Sequence, residues 1–522
     1  MRQEEEITRA AGIVGSLTLL SRILGLVRDM VIAYFFGARA ETDAFYVAYR
    51  IPNLLRRFLA EGSLTISFIP VFTEYLENRS KEEAKRVSDI TFTLLFITLI
   101  LVSVLGILLS PLIIKLFASG FKGEIFKLAV NLNQIMFPYI FFVSLAALAM
   151  GVLNSLKHFF APAFSPVVFN IVNISAVFLL YQYFDVPIFT LAIGVIAGGA
   201  LQFLIQFPFL KNRDFLFSFR KNLRHPAVKR IALLMSPQLF GLAVYNFNIL
   251  VSTQYASHLP GGTVSYLWYS ERLIEFPLGI FAVSIATALL PSLSSQASKG
   301  EYEKFGESYS FALRLMLFVM IPALVGLIAL RVPICNVLYQ RGEFTFEETL
   351  LTSQALLGYA IGLWAVGGIR ITAPGFYAIQ DTKTPVKVAL LAFIINAALG
   401  YILGFTLDLK HTGLALASSI SSISNFFILF LLLTKRMKEI EIKRTLVYVL
   451  KVLAASLLMG ATAWEISAFS DWSQSGFSLE KISIFCASIA GAVIVYFVLA
   501  KLLKIEEVNF LFKLIRRKAG RG

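Results

Sequence analysis

The chain has 522 residues, 57% of them hydrophobic and 15% charged, with a formal net charge of +15 and a mean hydropathy of +0.75. A soluble protein of this length carries far more charged surface, so the composition excludes one and indicates a polytopic membrane protein. The lysines and arginines are spread over short loops between apolar segments, which makes membrane orientation, not nucleic-acid binding, the source of the positive charge.

Windows of about 20 apolar residues mark membrane helices. Fourteen run at roughly 12–37, 43–76, 88–116, 128–156, 161–182, 186–210, 229–257, 264–296, 308–338, 349–379, 384–407, 412–434, 444–467 and 481–503. Several exceed the bilayer thickness, so tilts, kinks or short breaks are expected, particularly at Gly25, Pro52, Pro277 and Pro374. The first window follows Glu4, Glu5 and Glu6 without a small-residue cleavage site and reads as retained, not as a signal peptide. The fold class is all-α, with about 14 transmembrane helices.

An even number of helices puts both termini on one side. Loops on that side hold Arg79, Lys81, Lys85 and Arg86, then Lys211, Arg213, Arg220, Lys221, Arg224, Lys229 and Arg230, then Lys435, Arg436, Lys438, Lys443 and Arg444. The opposite loops hold scattered positives such as Arg39, Lys122, Arg341 and Lys410, so the positive-inside rule places both termini in the cytoplasm. The stretch KNRDFLFSFRKNLRHPAVKR (211–230) interleaves phenylalanines with basic residues. It reads either as an interfacial helix on anionic headgroups or as an orienting basic loop. Cys335 and Cys486 fall in apolar segments and read as buried free thiols. Neither they nor His158, His225, His258 and His411 show a metal-ligand pattern.

An internal repeat is visible. FIPVFTEYLENRSKEEAKRVSD (68–89) aligns with LLPSLSSQASKGEYEKFGESYS (289–310), Pro70 over Pro291, each expected to end a helix. SLKHFFAPAFSPVV (155–168) aligns with AIQDTKTPVKV (378–388) at a similar offset. The repeat predicts two six-helix lobes, 1–210 and 229–434, joined by a basic loop at 211–228. Helices 13 and 14 and a basic tail occupy 435–522. Repeats of this kind place substrate sites between their halves and permit alternating access.

The chain has no P-loop, HExxH, nucleophile elbow or dinucleotide glycine pattern, so no catalytic site and no cofactor are expected. Active transport would then draw on an ion gradient, the membrane potential or substrate supply. The first two windows nevertheless carry Arg22, Arg28, Asp29, Arg50, Arg56, Arg57 and Glu61. An arginine near the bilayer centre costs about 2.5–3.5 kcal/mol, so these imply a sheltered cavity whose excess positive charge suits an anion.

Arg57 and Glu61 are four apart and Arg272 and Glu275 three apart, spacings that close local salt bridges. Arg56 points about 100° away from Arg57 and has no carboxylate at such a spacing, which favours a cavity role. Arg22 and Asp29 share a helix face, and Arg28 joins them only if Gly25 breaks the helix. Arg314, Arg331 and Arg370 lie near predicted helix ends and are expected to snorkel. Asp43 reads as a helix N-cap or as a gate residue. Arginine forks bind phosphate oxygens in bidentate fashion, so such a cluster suits a diphosphate. A cation exporter would instead need unpaired intramembrane acids, which are scarce here.

The segments SRILGLVRD (21–29), TDAFYVAYRIPNLLRRFLAEG (42–62), ERLIEFPLGIF (271–281), LLPSLS (289–294) and FYAIQDTKTPV (376–386) together resemble the MurJ (MviN) family of lipid II flippases. That family belongs to the multidrug, oligosaccharidyl-lipid and polysaccharide exporter superfamily, and the resemblance spans essentially the whole chain. It implies transfer of the undecaprenyl-diphosphate-linked peptidoglycan precursor from the inner to the outer leaflet of the bacterial cytoplasmic (inner) membrane. It also implies a cationic cavity enclosed by two lobes, with the last two helices forming a groove for the lipid tail.

By motif, the resemblance makes Arg22, Arg28, Asp43, Arg56, Glu61 and Arg272 the essential cavity positions. Arg22, Arg28, Arg56 and Arg272 are the candidate substrate-binding residues, and Asp43, Glu61, Arg57 and Glu275 the candidate gating or structural ones. The implied partners are lipid II, anionic membrane lipids and cell-wall synthesis enzymes. Some relatives bind sodium through acids on helices seven and eleven. Here helix seven has no acid and helix eleven offers only Asn396, which argues against sodium; the membrane potential is one source that could supply direction. The rival readings are an exporter of other polyprenyl-linked saccharides or of drugs, and a scaffold that recruits cell-wall enzymes without transporting anything.

Overall fold

A computed structural model describes residues 2–56, 64–440, 442–474 and 478–508, and every regular element among them is helical. In chain order these are α1 (Arg2–Phe36), α2 (Ala40–Arg56), α3 (Thr65–Asn78), α4 (Lys81–Leu108), α5 (Ser110–Phe117), α6 (Gly123–Met136), α7 (Tyr139–Ser155), α8 (Phe160–Leu180), α9 (Phe189–Leu204), α10 (Phe207–Lys211) and α11 (Pro226–Ser257). They continue with α12 (Thr263–Pro277), α13 (Val283–Ser298), α14 (Tyr302–Ala329), α15 (Arg331–Tyr339), α16 (Phe346–Ala360), α17 (Leu363–Ala378), α18 (Lys383–Tyr401), α19 (Lys410–Arg436), α20 (Ile442–Ser467) and α21 (Leu479–Leu502). Eleven helical segments are long and apolar enough to cross a membrane, several of them joining two of these helices. That count is of the described residues; the predicted windows at 12–37, 43–76 and 229–257 fall on α1, α2 with α3, and α11, outside those eleven.

Two compact units form, Met1–Val264 and Ser265–Gly522. The basic stretch 211–228, which the repeat set between the lobes, lies inside the first of them, because α11 packs on α3, α4 and α5. In this unit α7 packs against α2, α3, α4, α8 and α9 and buries Tyr139, Leu145, Leu148 and Leu153. Without a hydrophobic driving force in lipid, such packing relies on close backbone approach. Gly199 shows it: a Cβ there would stand 2.6 Å from the Tyr139 ring. In the second unit α17 packs on α13, α14 and α19, and the two C-terminal spans dock through α20 on α14. Tyr496 of α21 donates to the Phe318 carbonyl of α14 at 2.7 Å.

The expected breaks are fewer than the glycines and prolines suggested. Helix α1 runs through Gly25, α2 through Pro52 and α17 through Pro374, while Pro277 leads into a π-helical turn at Leu278–Ala282. Pro70 and Pro291 do not end their helices either, since α3 continues to Asn78 and α13 to Ser298. A proline inside a membrane helix removes one hydrogen bond, and the neighbouring turns hold the rest.

The repeat reappears in detail at the second aligned pair. Leu156 ends α7 and Ile379 ends α17, each followed by a non-glycine residue at positive φ, Lys157 at 56° and Gln380 at 60°. The next amides close the turn, His158 to the Leu153 carbonyl and Asp381 to that of Phe376, at 2.8 and 2.9 Å. This is the helix stop in which a left-handed residue satisfies the last carbonyls. Each turn is then tied by an arginine: Arg213 Nη2 lies 3.1 Å from His158 Nδ1, and Arg436 Nη1 lies 2.6 Å from Asp381 Oδ2.

The segment 212–225 is not an interfacial helix. It is irregular chain laid along α4. Phe217 stacks on Phe92 with ring centroids 4.7 Å apart, and Phe219 meets Phe92 and Phe96. Asp89, fully buried on α4, accepts from Lys85, from both Arg220 Nε and Nη2 and from the Ser218 amide. His225 closes the strap: its Nδ1 accepts the Ala227 amide at the start of α11 and its Nε2 lies 3.0 Å from Glu83. Those side chains satisfy the strap where lipid headgroups would otherwise have to.

Candidate functional site

In the first unit the site is built on α1. Arg28 and Asp29 are 9% and 1% exposed, an ion pair sunk into a helix otherwise suited to lipid. Arg28 Nη2 lies 2.9 Å from Asp29 Oδ1 and Nε donates to the same oxygen at 3.2 Å. Nη1 donates to Asn170 Oδ1 at 3.3 Å, and the guanidinium lies 5.9 Å from the centre of the Phe169 ring. Asn170, on α8, donates in turn to the Ser21 carbonyl at 3.0 Å. Its side chain sits 3.8 Å from where a Cβ on Gly25 would be, so Gly25 gives α8 room beside an unbroken α1. Arg28 therefore comes inside without the break that the sequence required, and it takes Asp29 as its own partner. Arg22 is left exposed, with no hydrogen bond or ion pair among the described residues.

The α2 helix supplies two more arginines. Arg50 donates to Thr253 Oγ1 of α11 at 2.6 Å. Arg56 is half-buried at the last residue of α2. Arg57 and Glu61, with their predicted salt bridge, lie outside the described residues.

Asp43 sits in the first turn of α2, 2% exposed, and its Oδ2 accepts the Gly262 amide at 2.7 Å. Gly262 has φ +93°, which a side chain would strain. Asp43 thus clasps the turn after α11, while Thr42 donates to the last carbonyl of α1, Phe36, at 3.0 Å.

In the second unit Arg272 pairs with Glu275 at 3.0 Å, as its spacing predicted, and lies 4.8 Å from the Trp268 ring centre. Both side chains of the pair remain substantially accessible, 33% and 46%. Arginine held over an indole in this way keeps its charge while its orientation is restricted.

The lipid II flippase MurJ family model matches residues 32–483. A lipid II flippase MurJ from Burkholderia cenocepacia is 37% identical over 94% of this chain and 96% of its own length. A probable lipid II flippase MurJ from Vibrio cholerae is 36% identical over 92% and 93%. The chain belongs to the lipid II flippase MurJ family. A solved MurJ in an inward closed conformation superposes with a TM-score of 0.78 at 29% identity, covering 96% of this chain and 99% of that one. An inward-facing multidrug transporter of the MATE family matches in fold alone, with a TM-score of 0.69 at 16% identity over 82% of this chain and 98% of that one.

Other charges of this MurJ-family member depart from the sequence reading. Arg314 does not snorkel: it is part-buried on α14 and its Nε donates to the buried Glu507 at 2.9 Å. Helix-end position hid this, because Glu507 arrives from beyond α21. Cys335 is buried as expected, but Cys486 lies exposed on α21. Asn170 and Asp89 were missed altogether. The only signal for Asp89 was Lys85 four residues before it, and Asn170 carried none, since its partners are 142 and 149 residues away. Among the described residues no group of three or more His, Cys, Asp or Glu is arranged to hold a metal.

Proposed function

We propose that this chain carries lipid II from the inner to the outer leaflet of the bacterial cytoplasmic membrane by alternating access. What supports the reading is its membership of the lipid II flippase family over nearly its whole length, joined to an arginine buried in a membrane-spanning helix. Arg22, Arg28, Arg56 and Arg272 receive the diphosphate. Arg28 serves because Asp29 and Asn170 fix its fork before the substrate arrives, which lowers the ordering cost of binding. Arg22 serves because it is a cation with nothing to displace. The lipid tail stays in the bilayer while the headgroup crosses, and no covalent chemistry is needed.

Direction comes from the membrane potential. With the interior negative, outward movement of an anion is favoured by about 2.3 kcal/mol per charge per 100 mV. Sodium has no part in this scheme, since α11 carries no acid and α18 offers Asn396 in its interior. Both termini lie in the cytoplasm, where the basic loops meet anionic lipid.

The test is the outer-leaflet fraction of lipid II in cells depleted of the native flippase, read with a membrane-impermeant enzyme that cleaves exposed lipid II. The wild-type chain restores that fraction and Arg272→Ala does not. Full restoration by both Arg28→Ala and Arg272→Ala overturns the assignment of the arginines, and failure of the wild-type chain overturns the substrate.

A further inference from the structure

At the end of the second unit where α14 and α20 begin and α19 stops, a cavity of about 810 Å³ opens, lined by Glu303, Glu307, Ser310, Arg314, Glu439 and Arg444 among others. Both α14 and α20 are long and apolar enough to cross a membrane, so the cavity sits where spanning segments pass from polar to apolar surroundings. Its inner lining holds two polar groups with unused hydrogen-bonding capacity. Ser310 is 5% exposed and its hydroxyl has no hydrogen-bond partner among the described residues, an omission that is costly at a buried position unless something fills it. Arg314 follows four residues later, on the same face of α14. Its side chain is 12% exposed and commits Nε to Glu507 at 2.9 Å, while its two Nη nitrogens have no hydrogen-bond partner among the described residues. A hydroxyl and the two terminal nitrogens of a guanidinium on one helix face match the oxygens of a phosphate.

Charge decides which kind of phosphate fits. Arg314 is neutralised by Glu507 and Arg444 pairs with Glu506 at 3.0 Å, so the lining has no surplus cation for a ligand of net negative charge. Glu303, Glu307 and Glu439, exposed to water at the mouth, disfavour such a ligand further. A zwitterion brings its own counter-charge. Position decides the carrier: beside Arg444, α20 exposes Leu446, Val447 and Leu450 at 60%, 55% and 58%, an apolar surface suited to acyl chains.

We propose that this cavity binds the headgroup of a membrane phospholipid that carries a primary ammonium group, of the phosphatidylethanolamine type. The phosphate accepts from the Arg314 Nη pair and from Ser310 Oγ, the ammonium faces the carboxylates at the mouth, and the acyl chains lie on α20. A lipid seated in this way bridges α14 and α20 and so helps hold the two C-terminal spans on the second unit. The site is separate from the arginines assigned to the diphosphate, and its test does not depend on lipid II.

The test offers the full chain, delipidated in detergent, an equimolar mixture of phosphatidylethanolamine, phosphatidylcholine and phosphatidylglycerol, and reads the retained lipid by native mass spectrometry. The wild type should keep one phosphatidylethanolamine per chain, favoured over phosphatidylcholine by about threefold, the worth of an exposed charged contact that a quaternary ammonium cannot make by hydrogen bonding. It should be favoured over phosphatidylglycerol by more. Ser310→Ala, which removes one hydroxyl, should lower that retention about tenfold. Phosphatidylethanolamine should also raise the thermal midpoint of the wild type and not that of Ser310→Ala. Equal retention of the three lipids by the wild type, a preference for phosphatidylglycerol, or undiminished retention by Ser310→Ala would each overturn the proposal, the second by assigning the cavity to an anionic lipid.

Discussion

Arg28 shows how a charge is made tolerable inside a membrane-spanning helix. Asp29 neutralises it and Asn170 fixes its third contact, so neither ion of the pair faces lipid alone. Asp29→Ala removes the carboxylate that both Nε and Nη2 of Arg28 engage in a buried site, and it should destabilise the first unit, read as a lowered thermal midpoint in detergent. Arg28→Lys keeps the charge but loses the planar fork that spans Asp29 and Asn170 together. It should fold, yet restore outer-leaflet lipid II at least several-fold less well than wild type. Normal transport by the Arg28→Lys variant would show that charge alone suffices there. Asn170→Ala should fall between the two, because it removes the contact that orients the fork and leaves the ion pair in place.

Two elements with the same geometry differ in what pH does to them. In the turn after α7, burial first and then neighbouring Arg213 hold His158 below its ordinary pKa, so its neutral Nδ1 accepts the guanidinium. A histidine depressed in the folded state contributes stability that is complete above its unfolded pKa of about 6.5 and is lost as pH falls below that. In the turn after α17, the Thr384 hydroxyl and amide, with Arg436, hold Asp381 at about 2, so that tie survives until far lower pH. Lowering pH from 7 to about 5.5 should therefore reduce the thermal stability of the wild type more than that of His158→Gln. Asp381→Ala should cost about 1 kcal/mol at neutral pH through loss of its contacts to the first amides of α18. Along α4, Asp89→Asn weakens the hold on Arg220 and should speed tryptic cleavage after Arg220 with little effect elsewhere.

For the whole molecule the decisive quantities are orientation and driving force. If both termini are cytoplasmic, a single cysteine placed at Lys435 should react with impermeant maleimide only after the membrane is opened, and one placed at Lys122 before it. Collapsing the membrane potential should lower the outer-leaflet fraction of lipid II, whereas replacing sodium with potassium at constant potential should not. Dependence on sodium at fixed potential would sink the energetic scheme while leaving the family unaffected.

Membrane class, the fourteen spans, the repeat and the Arg272–Glu275 pair were legible from the sequence, because each rests on composition or on spacing within one helix. Hydropathy has to be satisfied segment by segment in lipid, so it is written locally. Pairings across helices were not legible. Nothing in SRILGLVRD announces Asn170, nothing near Arg314 announces Glu507, and Asp43 reaches an amide 219 residues away. Phenylalanines at 217 and 219 suggested a lipid surface and instead found Phe92 and Phe96. Local composition dictates which segments enter the membrane and which charges need shelter. What shelters them is settled by packing alone, since a buried charge is satisfied by whichever helix comes within about 3 Å, and that choice has no local signature.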